Sequence, residues 1–333
     1  MLEHGGRLRA ACRQYTAGGE RPLSDWLDLS TGINPSGYPV PAIDPACWRC
    51  LPEEDDGLEA AAAAYYGSEQ LLALPGSQAA IQLLPALFPP VVVTCITPIY
   101  EEHPQAWERA GHRLRRLENA SLTRAVSVAT PVIVLCNPGN PTGTTLPRTA
   151  VLDAAGQLQR RGGWLVVDEA FGDADPDNCV SALAGRPEAP NLIALRSLGK
   201  FFGLAGARVG FVFAAADKLA RLRAAIGPWP LSGPARAVAQ EALADRAWHG
   251  RTRRQLRGAS ARLAALLAPF GEISGTALFA TIATPNAASL FAHLAGQAIL
   301  LRHFPALGLL RCGLPGSEAE WQRLAGALAT WTP

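Results

Sequence analysis

Short apolar runs recur along the first two thirds of the chain, among longer stretches with helical character. The run Val91–Ile96 is continuous and rich in β-branched residues, which is typical of a parallel strand buried on both faces. Similar runs predict strands at 71–74, 113–117, 132–136, 164–168, 192–195 and 209–213. Helix-like stretches lie among them at 58–66, 150–160 and 216–225, and another helix opens near residue 77. The pattern predicts a large α/β domain.

Clusters of turn residues divide the rest of the chain. Residues 1–40 are rich in glycine and proline and lack sustained periodicity, which predicts an extended arm. Turn residues at 227–234 mark a second boundary, and a long arginine-rich helix from Ala235 to about Leu267 follows it. Beyond that, strands at 271–274, 277–284, 298–302 and 309–313 and a helix at 318–331 form a smaller α+β region. We therefore expect an arm at 1–40, a large domain at 41–227 and a small domain at 228–333.

Composition narrows the class of protein further. With 333 residues, 49% of them hydrophobic and 17% charged, the chain predicts a globular fold with a sizeable core. A net charge of +2 gives no reason to expect a nucleic-acid or membrane partner. The first residues lack the apolar segment of a signal peptide, so a cytoplasmic location is expected. The 7 cysteines, including the pair Cys47 and Cys50, are expected to be reduced and structural.

The stretch around Lys200 carries the strongest chemical signal. The sequence Ser197-Leu198-Gly199-Lys200 follows an apolar strand, and Arg208 comes eight positions after the lysine. A lysine in tight, water-poor surroundings has a depressed pKa and can form a Schiff base. Ser197 and Arg208 are suited to bind a phosphate beside it, the arginine through a forked, charge-assisted contact. A surface lysine in a turn is the alternative, and other stretches weigh against it.

Those other stretches each follow a predicted strand. At Gly76-Ser77 a helix opening presents free N–H groups to an anion, although Ser77 also suits an ordinary N-cap. Tyr100 stands where open α/β sheets bind ligands, or else is a core aromatic. Residues 137–143 read Asn-Pro-Gly-Asn-Pro-Thr-Gly, which is more specific than a simple Pro/Gly turn. Asp168 ends a buried strand, where a carboxylate is costly unless it is paired.

In these motifs the chain resembles the fold-type I enzymes that depend on pyridoxal 5'-phosphate (PLP), in particular the aminotransferases related to histidinol-phosphate aminotransferase. The resemblance covers nearly the whole chain. It implies an aspartate aminotransferase-like α/β fold, with a mostly parallel large-domain sheet and a smaller α+β C-terminal domain. It also implies that Lys200 and Asp168 are catalytic, the aspartate pairing with the pyridinium nitrogen. The implied cofactor-binding residues are Gly76, Ser77, Gln78, Tyr100, Asn140, Asp168, Ser197, Lys200 and Arg208. No metal is expected.

The N-terminal arm resembles that of one branch of this family, the threonine-phosphate decarboxylases of the cobalamin pathway. The likeness rests on His4-Gly5-Gly6-Arg7, on the turn at 30–35, and on Phe171, where the aminotransferases have a tyrosine that bonds the cofactor's ring hydroxyl. It implies decarboxylation of a small phosphorylated amino acid, O-phospho-L-threonine, to (R)-1-amino-2-propanol O-2-phosphate. The implied substrate-binding residues are His4, Gly5, Arg7, Asn34, Asn140, Arg302 and Arg311.

One position departs from the family's pattern. A Tyr-Pro pair usually precedes the first helix of the large domain, and its hydroxyl reaches the partner subunit's cofactor phosphate, whereas here the pair is Leu51-Pro52. The resemblance still implies a homodimer. A histidinol-phosphate or related aminotransferase is the alternative function. A non-catalytic protein of the same fold is a second alternative, which the intact Lys200, Asp168 and Arg208 disfavour.

Overall fold

The structure is a computed structural model of the chain, and it describes residues 4–15, 22–118 and 121–332. It contains two compact units. The first unit consists of the described residues up to 36, residues 141–143 and the residues from 252 onward. The second consists of the described residues in 37–140 and 144–251. The limits predicted from the sequence, 1–40, 41–227 and 228–333, stay a prediction about domains.

The strands are named here in chain order. They are β1 (Leu27–Asp28), β2 (Leu71–Leu74), β3 (Val92–Thr97), β4 (Arg113–Glu118), β5 (Val132–Cys136), β6 (Trp164–Asp168), β7 (Leu192–Ser197), β8 (Gly210–Phe213), β9 (Glu272–Thr276), β10 (Phe279–Ala283), β11 (Ile299–Leu300), β12 (Arg302–Phe304) and β13 (Leu309–Gly313).

The helices are named in the same way. They are α1 (Leu8–Tyr15), α2 (Ala46–Arg49), α3 (Leu58–Tyr66), α4 (Ser77–Leu83), α5 (Glu102–Arg109), α6 (Leu122–Ser127), α7 (Arg148–Gln159), α8 (Ala216–Ile226), α9 (Gly233–Ala244), α10 (Arg246–Leu267), α11 (Ala287–Gly296) and α12 (Glu318–Ala329). None of these helices combines the length and apolarity that a membrane span requires.

A seven-stranded sheet forms the centre of the second unit, with the order β2-β8-β7-β6-β5-β3-β4. All of its strands run in one direction except β8, which is antiparallel to both of its neighbours. Its central strands are apolar and buried on both faces, as in Val134, Val166 and Ile193, each no more than 1% exposed. The prediction of an α/β fold with a mostly parallel sheet is therefore confirmed.

The first unit has a four-stranded antiparallel sheet with the order β12-β13-β10-β9 and a separate parallel pair, β1 with β11. Strand β13 lies between β12 and β10, so Arg311 in β13 is opposite Arg302 on one side and Thr281 on the other. The turn at 141–143 also belongs to this unit, where Thr281 Oγ1 donates to Pro141 O at 2.6 Å. The predicted smaller α+β region is confirmed.

Two expectations about helices were wrong. The N-terminal segment is not extended throughout, because α1 forms within it. Its buried Ala11 packs in a small cluster with Trp26, Ala298 and Leu300, and this tertiary packing stabilises the helix. The helix is too short for its hydrophobic periodicity to be recognised in the sequence.

The long helix expected from Ala235 to Leu267 is two helices, α9 and α10. Asp245 separates them with φ −78° and ψ 77°, and its Oδ1 accepts a hydrogen bond from Trp248 N at 2.8 Å. Its carboxylate therefore caps the start of α10, as aspartate commonly does.

Candidate active site

Lys200 lies in a tight loop at the end of β7. The loop is closed by Leu198 N, which donates to Val209 O at 3.1 Å, and Gly203 N donates to Lys200 O at 3.1 Å. The two residues after the lysine, Phe201 and Phe202, are fully buried, and Phe202 stacks on Trp248 with ring centroids 5.6 Å apart. These buried rings fix the backbone on one side of Lys200, whose own side chain is half-buried.

Gly76 and Ser77, at the opening of α4, lie beside Arg208, which comes from the loop before β8. Gly76 adopts φ 71° and ψ 157°, a region essentially restricted to glycine. A Cβ at this position would stand 2.7 Å from Arg208 Nη2, so the missing side chain leaves space beside the guanidinium. A Cβ on Gly210 would overlap Ser77 N, which shows that β8 passes directly against this helix opening.

Two details of this group bear on the expectations from sequence. The residue before α4 is Gly76, and no side-chain cap hydrogen bond forms there, so Ser77 is not the ordinary N-cap that was the alternative. Arg208 itself has left-handed backbone, φ 54° and ψ 50°, directly after the short helical turn Ala205–Ala207, and its Nη1 donates to Ala205 O at 3.3 Å. Ser197 Oγ accepts a hydrogen bond from Gly199 N at 3.2 Å and is 9% exposed.

Asp168 ends β6 and is 5% exposed. Its Oδ1 accepts a hydrogen bond from Ala170 N at 2.9 Å, and its Oδ2 lies 2.8 Å from His103 Nε2. The histidine is 1% exposed, so the buried carboxylate has a buried partner, as the cost of desolvation requires.

His103 is a functional candidate that was not recognised in the sequence. It lies in the first turn of α5, three residues after Tyr100, and its N–H donates to Tyr100 O at 3.0 Å. The ring centroids of Tyr100 and His103 are 6.3 Å apart. Within the described residues, potential ligand atoms of His103, Cys136 and Asp168 also lie within 4.8 Å of one another. Of these three groups, His103 and Asp168 are in direct contact.

Tyr100 is half-buried at the same edge of the sheet. Its hydroxyl donates to Gln78 Oε1 at 3.4 Å, and Gln78 Nε2 donates in turn to Glu102 Oε2 at 2.8 Å. Burial, with smaller contributions from the carboxylates of Glu102 and Asp168, raises the pKa of Tyr100 to about 12. The tyrosine is therefore a neutral hydrogen-bond donor at physiological pH.

The turn after β5 is held by its first asparagine. Asn137 is buried, its Oδ1 accepts from Leu146 N at 2.8 Å, and its Nδ2 donates to Leu146 O at 3.1 Å. Asn140 follows in the half-buried part of the same turn. Its backbone N–H and that of Tyr100 approach the Cys136 sulfur, although burial raises the pKa of that thiol well above its ordinary value.

Phe171 is beside Lys200, at the position where the resemblance implies a tyrosine in the aminotransferases. The Lys200 Nζ atom is 5.4 Å from the centroid of the Phe171 ring, and the ring is 4% exposed. An aromatic face attracts a cation at this distance but offers no hydroxyl.

In the first unit the two predicted arginines lie side by side. Arg302 and Arg311 are directly opposite across β12 and β13. Their guanidinium carbons lie 5.1 and 5.9 Å from the centroid of the Phe304 ring. Two guanidinium groups directly opposite each other on one face of a sheet are suited to contact one anionic group.

Ser30 joins the arm to Arg311. Arg311 Nη2 donates to Ser30 O at 3.0 Å, and Gly6 N donates to Ser30 Oγ at 2.8 Å. A Cβ on Gly5 would overlap Ser30 O, so only glycine allows this close approach. Asn34 is buried a few residues further along and accepts from Ser36 N at 3.0 Å. His4 is half-buried and Arg7 is exposed, and Arg7 O accepts from the first turn of α1.

The residues of the second unit fit PLP. The space left at Gly76 beside Arg208 is a cradle that a Cβ would fill, and the adjoining helix opening offers N–H donors. Buried Thr97 Oγ1, at the end of β3, has no hydrogen-bond partner among the described residues and is available to a ligand at this sheet edge. A lysine, an anion cradle and a paired carboxylate are the groups that the aldehyde, the phosphate and the pyridine nitrogen of PLP require.

This fold and this set of residues define a class of enzyme, and a comparison of families agrees. A family model described as aminotransferase class I and II matches residues 47–328. The chain belongs to that family.

Curated relatives point to one branch of it. The chain is 48% identical to the threonine-phosphate decarboxylase of Pseudomonas aeruginosa, covering 98% of this chain and 97% of the relative. It is 40% identical to the threonine-phosphate decarboxylase of a Sinorhizobium species, covering 98% of each. A histidinol-phosphate aminotransferase of Xanthomonas campestris is 33% identical over 72% of this chain and 71% of the relative.

Solved structures agree on the fold. Histidinol-phosphate aminotransferase from Sinorhizobium meliloti, in complex with pyridoxal-5'-phosphate, aligns with a TM-score of 0.82 at 22% identity, over 98% of this chain and 94% of the other. L-threonine-O-3-phosphate decarboxylase from Porphyromonas gingivalis aligns with a TM-score of 0.77 at 22% identity, over 91% and 98%. At this level of identity the likeness establishes the architecture alone.

Proposed function

We propose that the protein is a PLP-dependent lyase that decarboxylates O-phospho-L-threonine to (R)-1-amino-2-propanol O-2-phosphate in cobalamin biosynthesis. One observation carries the choice of reaction. The relatives that match 98% of the chain, at 48% and 40% identity, are threonine-phosphate decarboxylases. The histidinol-phosphate aminotransferase of Xanthomonas campestris matches 72% of the chain at 33% identity, so the alternative has less support.

The cofactor is held by residues of the second unit. Gly76, Ser77, Ser197 and Arg208 would bind its phosphate, and Tyr100 would contact its ring, with Gln78 orienting the tyrosine hydroxyl. Asn140 would be the donor to the ring hydroxyl, and Phe171 offers no hydroxyl as a second donor. When bound, PLP supplies an electron-withdrawing ring that stabilises the negative charge left on Cα after bond cleavage.

Asp168 and Lys200 carry the proton chemistry. The Asp168 carboxylate would accept a hydrogen bond from the protonated pyridine nitrogen of the cofactor and so keep that nitrogen protonated. His103 holds the carboxylate in place, with His103 Nε2 2.8 Å from Asp168 Oδ2. The Lys200 amine would hold the cofactor and would be the group that donates a proton to Cα. Phe171 gives this amine an apolar neighbour, with its ring centroid 5.4 Å from Lys200 Nζ.

The substrate carries two anionic groups, and the first unit carries residues suited to both. Arg302 and Arg311 form an adjacent pair of cations that binds the substrate's carboxylate or phosphate. His4, Gly5, Arg7 and Asn34 contribute to the phosphate end, with the arm fixed to Arg311 through Ser30. This binding energy is applied away from Cα, where it orients the scissile carboxylate bond.

We also propose that the enzyme is a cytoplasmic homodimer. Large apolar side chains are exposed in the segment before α3, where Val40 is 63%, Trp48 72% and Leu51 64% exposed. In the dimer, this surface contacts the second copy of the chain. Light scattering on the purified protein should give twice the chain mass of 35.1 kDa, and a mass of one chain would contradict the dimer.

The reaction is tested by assaying carbon dioxide release from O-phospho-L-threonine with and without a 2-oxo acid. We expect release without any acceptor, and none from Lys200→Ala. Borohydride reduction should attach the cofactor to Lys200 in the native protein. A requirement for a 2-oxo acid, with no carbon dioxide formed, would replace the proposal with the aminotransferase alternative.

A further inference from the structure

A group of fully buried charges lies beside the cofactor-binding residues and has no part in the chemistry described above. Glu169, Asp173 and Arg196 are each no more than 1% exposed. Arg196 Nη1 donates to Glu169 Oε2 at 3.2 Å, and Arg196 Nη2 donates to Asp173 Oδ1 at 2.5 Å. We call these three residues the Glu169 network.

Each end of the network is next in sequence to a cofactor-binding residue. Glu169 follows Asp168, and Arg196 precedes Ser197. Because side chains alternate along extended chain, neighbours in sequence point to opposite faces of the sheet. Glu169 N also donates to Leu195 O at 2.9 Å, so the pairing of β6 with β7 continues to this point. The ion pair therefore links the carboxyl ends of β6 and β7 from the face opposite the cofactor.

The network also orders the segment that carries Phe171. Glu169 Oε1 accepts from Val180 N at 2.5 Å, and Oε2 accepts from Ser181 N at 3.2 Å. A Cβ on Gly172, the residue after Phe171, would stand 2.8 Å from Arg196 Nη1. The backbone around Phe171 is thus packed directly against the guanidinium.

Stability alone does not explain why charges occupy this place. Two carboxylates share one guanidinium, and well-packed apolar residues are often as stabilising as a buried ion pair. Burial raises the pKa of Glu169, although Arg196 and the hydrogen bonds from Val180 and Ser181 oppose that effect. What the charges provide is directional bonding, which fixes the spacing of the elements they join.

We infer that Glu169, Arg196 and Asp173 are positioning residues for the cofactor. They fix the end of β6, with Asp168, relative to the end of β7, with Ser197 and Lys200, and they hold Phe171 beside the lysine. The inference rests on the proposed PLP chemistry. It assigns to these three residues a role in cofactor affinity and in the protonation of the bound cofactor, exerted through Asp168 and Lys200.

The test compares the network with a matched site at the other end of the same strands. Glu169→Gln and Asp173→Asn keep the side-chain shape and remove a charge. The control is Asn191→Ala, at the start of β7, where the buried Nδ2 donates to Ala155 O at 2.9 Å and Gly163 O at 2.8 Å. Asp173→Asn is the milder network change and serves if Glu169→Gln does not fold.

For each protein, three quantities are measured: the thermal midpoint of the apoenzyme, the dissociation constant for PLP, and the pH midpoint of the cofactor absorbance band. We expect the network variants to bind PLP at least about tenfold more weakly, equivalent to about 1.4 kcal/mol, and to shift the pH midpoint. The control should lose thermal stability without either change.

Two results would overturn the inference. One is a loss of PLP affinity that follows the loss of thermal stability equally in the control and the network variants. The other is an unchanged affinity and pH midpoint in network variants that fold. Failure of the native protein to bind PLP at all would instead contradict the proposed function.

Discussion

The substitution Gly76→Ala tests the phosphate cradle most directly. The new Cβ would stand 2.7 Å from Arg208 Nη2 and 3.2 Å from Cζ. The guanidinium would have to move by about 0.7 Å to reach the 3.4 Å at which ordinary contact begins. Alanine would also be strained by roughly 1–3 kcal/mol at φ 71° and ψ 157°.

The displaced guanidinium would lose a charge-assisted hydrogen bond to the cofactor phosphate, worth about 1.5–3 kcal/mol. Cofactor affinity should therefore fall by about tenfold to a hundredfold. The assay is a titration of the apoenzyme with PLP, followed by absorbance, together with the thermal midpoint of the apoenzyme.

Gly162→Ala is the matched control. Gly162 also has positive φ, 72°, but a Cβ there meets nothing within 4 Å. Its substitution should lower the thermal midpoint and leave PLP affinity unchanged. Equal PLP affinities in the two variants would show that Arg208 does not bind the phosphate from its position beside Gly76.

Other predictions concern the arm, an ion-pair cluster and the thiols. Gly5→Ala should displace the arm from Ser30 O, reducing kcat/KM for O-phospho-L-threonine about tenfold or more while PLP affinity is retained, and full activity would limit the arm to a structural role. Arg236→Met should destabilise the fold by about 1.5–3 kcal/mol, measured by urea unfolding, because this buried arginine bonds Asp56 at 2.7 Å. Partial burial raises the pKa of Asp56, but its hydrogen bonds to Arg236 and to Leu58 N and the charge of Arg236 outweigh this effect and lower it. The stability lost in Arg236→Met should therefore be largest above the unfolded pKa of about 3.9, and the part due to Asp56 should disappear as the pH falls below the folded pKa. A loss that did not diminish at all as the pH falls below the unfolded pKa of about 3.9 would contradict this assignment. Exposed Cys50 should react with iodoacetamide before Cys95, Cys136, Cys179 and Cys312, because burial raises the pKa of these four thiols, and peptide mapping after brief alkylation would check the order.

The sequence predicted the sheet well because its strands are continuous apolar runs. Strands β2, β5, β6 and β13 occupy the residues expected, and the single strand expected at 298–302 is two short strands, β11 and β12. The other expected strands differ by one or two residues at their ends. The helix α1 and the break at Asp245 were missed for opposite reasons. The first depends on packing against distant residues, and the second depends on one side chain that caps a new helix inside an otherwise helical composition.

The candidate site could be predicted only as far as its motifs reach. Asp168 ends β6 and Lys200 follows β7, and the carboxyl ends of these parallel strands meet at one edge of the sheet. The short loop after Lys200 brings Arg208 to the start of β8 at the same edge, so their convergence was foreseeable. His103 carries no motif, and its contact with Asp168 depends on where α5 is placed. The Glu169 network depends on pairing between β6 and β7, which the spacing of residues along the chain does not reveal.

The reversed direction of β8 limits how the length of the loop between β7 and β8 can vary among related proteins. Because β8 is antiparallel to β7, the end of β7 and the start of β8 are neighbours in the sheet, and a short loop joins them. Leu198 N donates to Val209 O at 3.1 Å across the base of this loop. The number of residues in the loop therefore sets the distance between the Lys200 amine and the Arg208 guanidinium. Substitutions of other side chains in the loop keep this number, whereas inserting or deleting one residue would alter the distance. We expect loop length to be inherited more strictly than loop sequence.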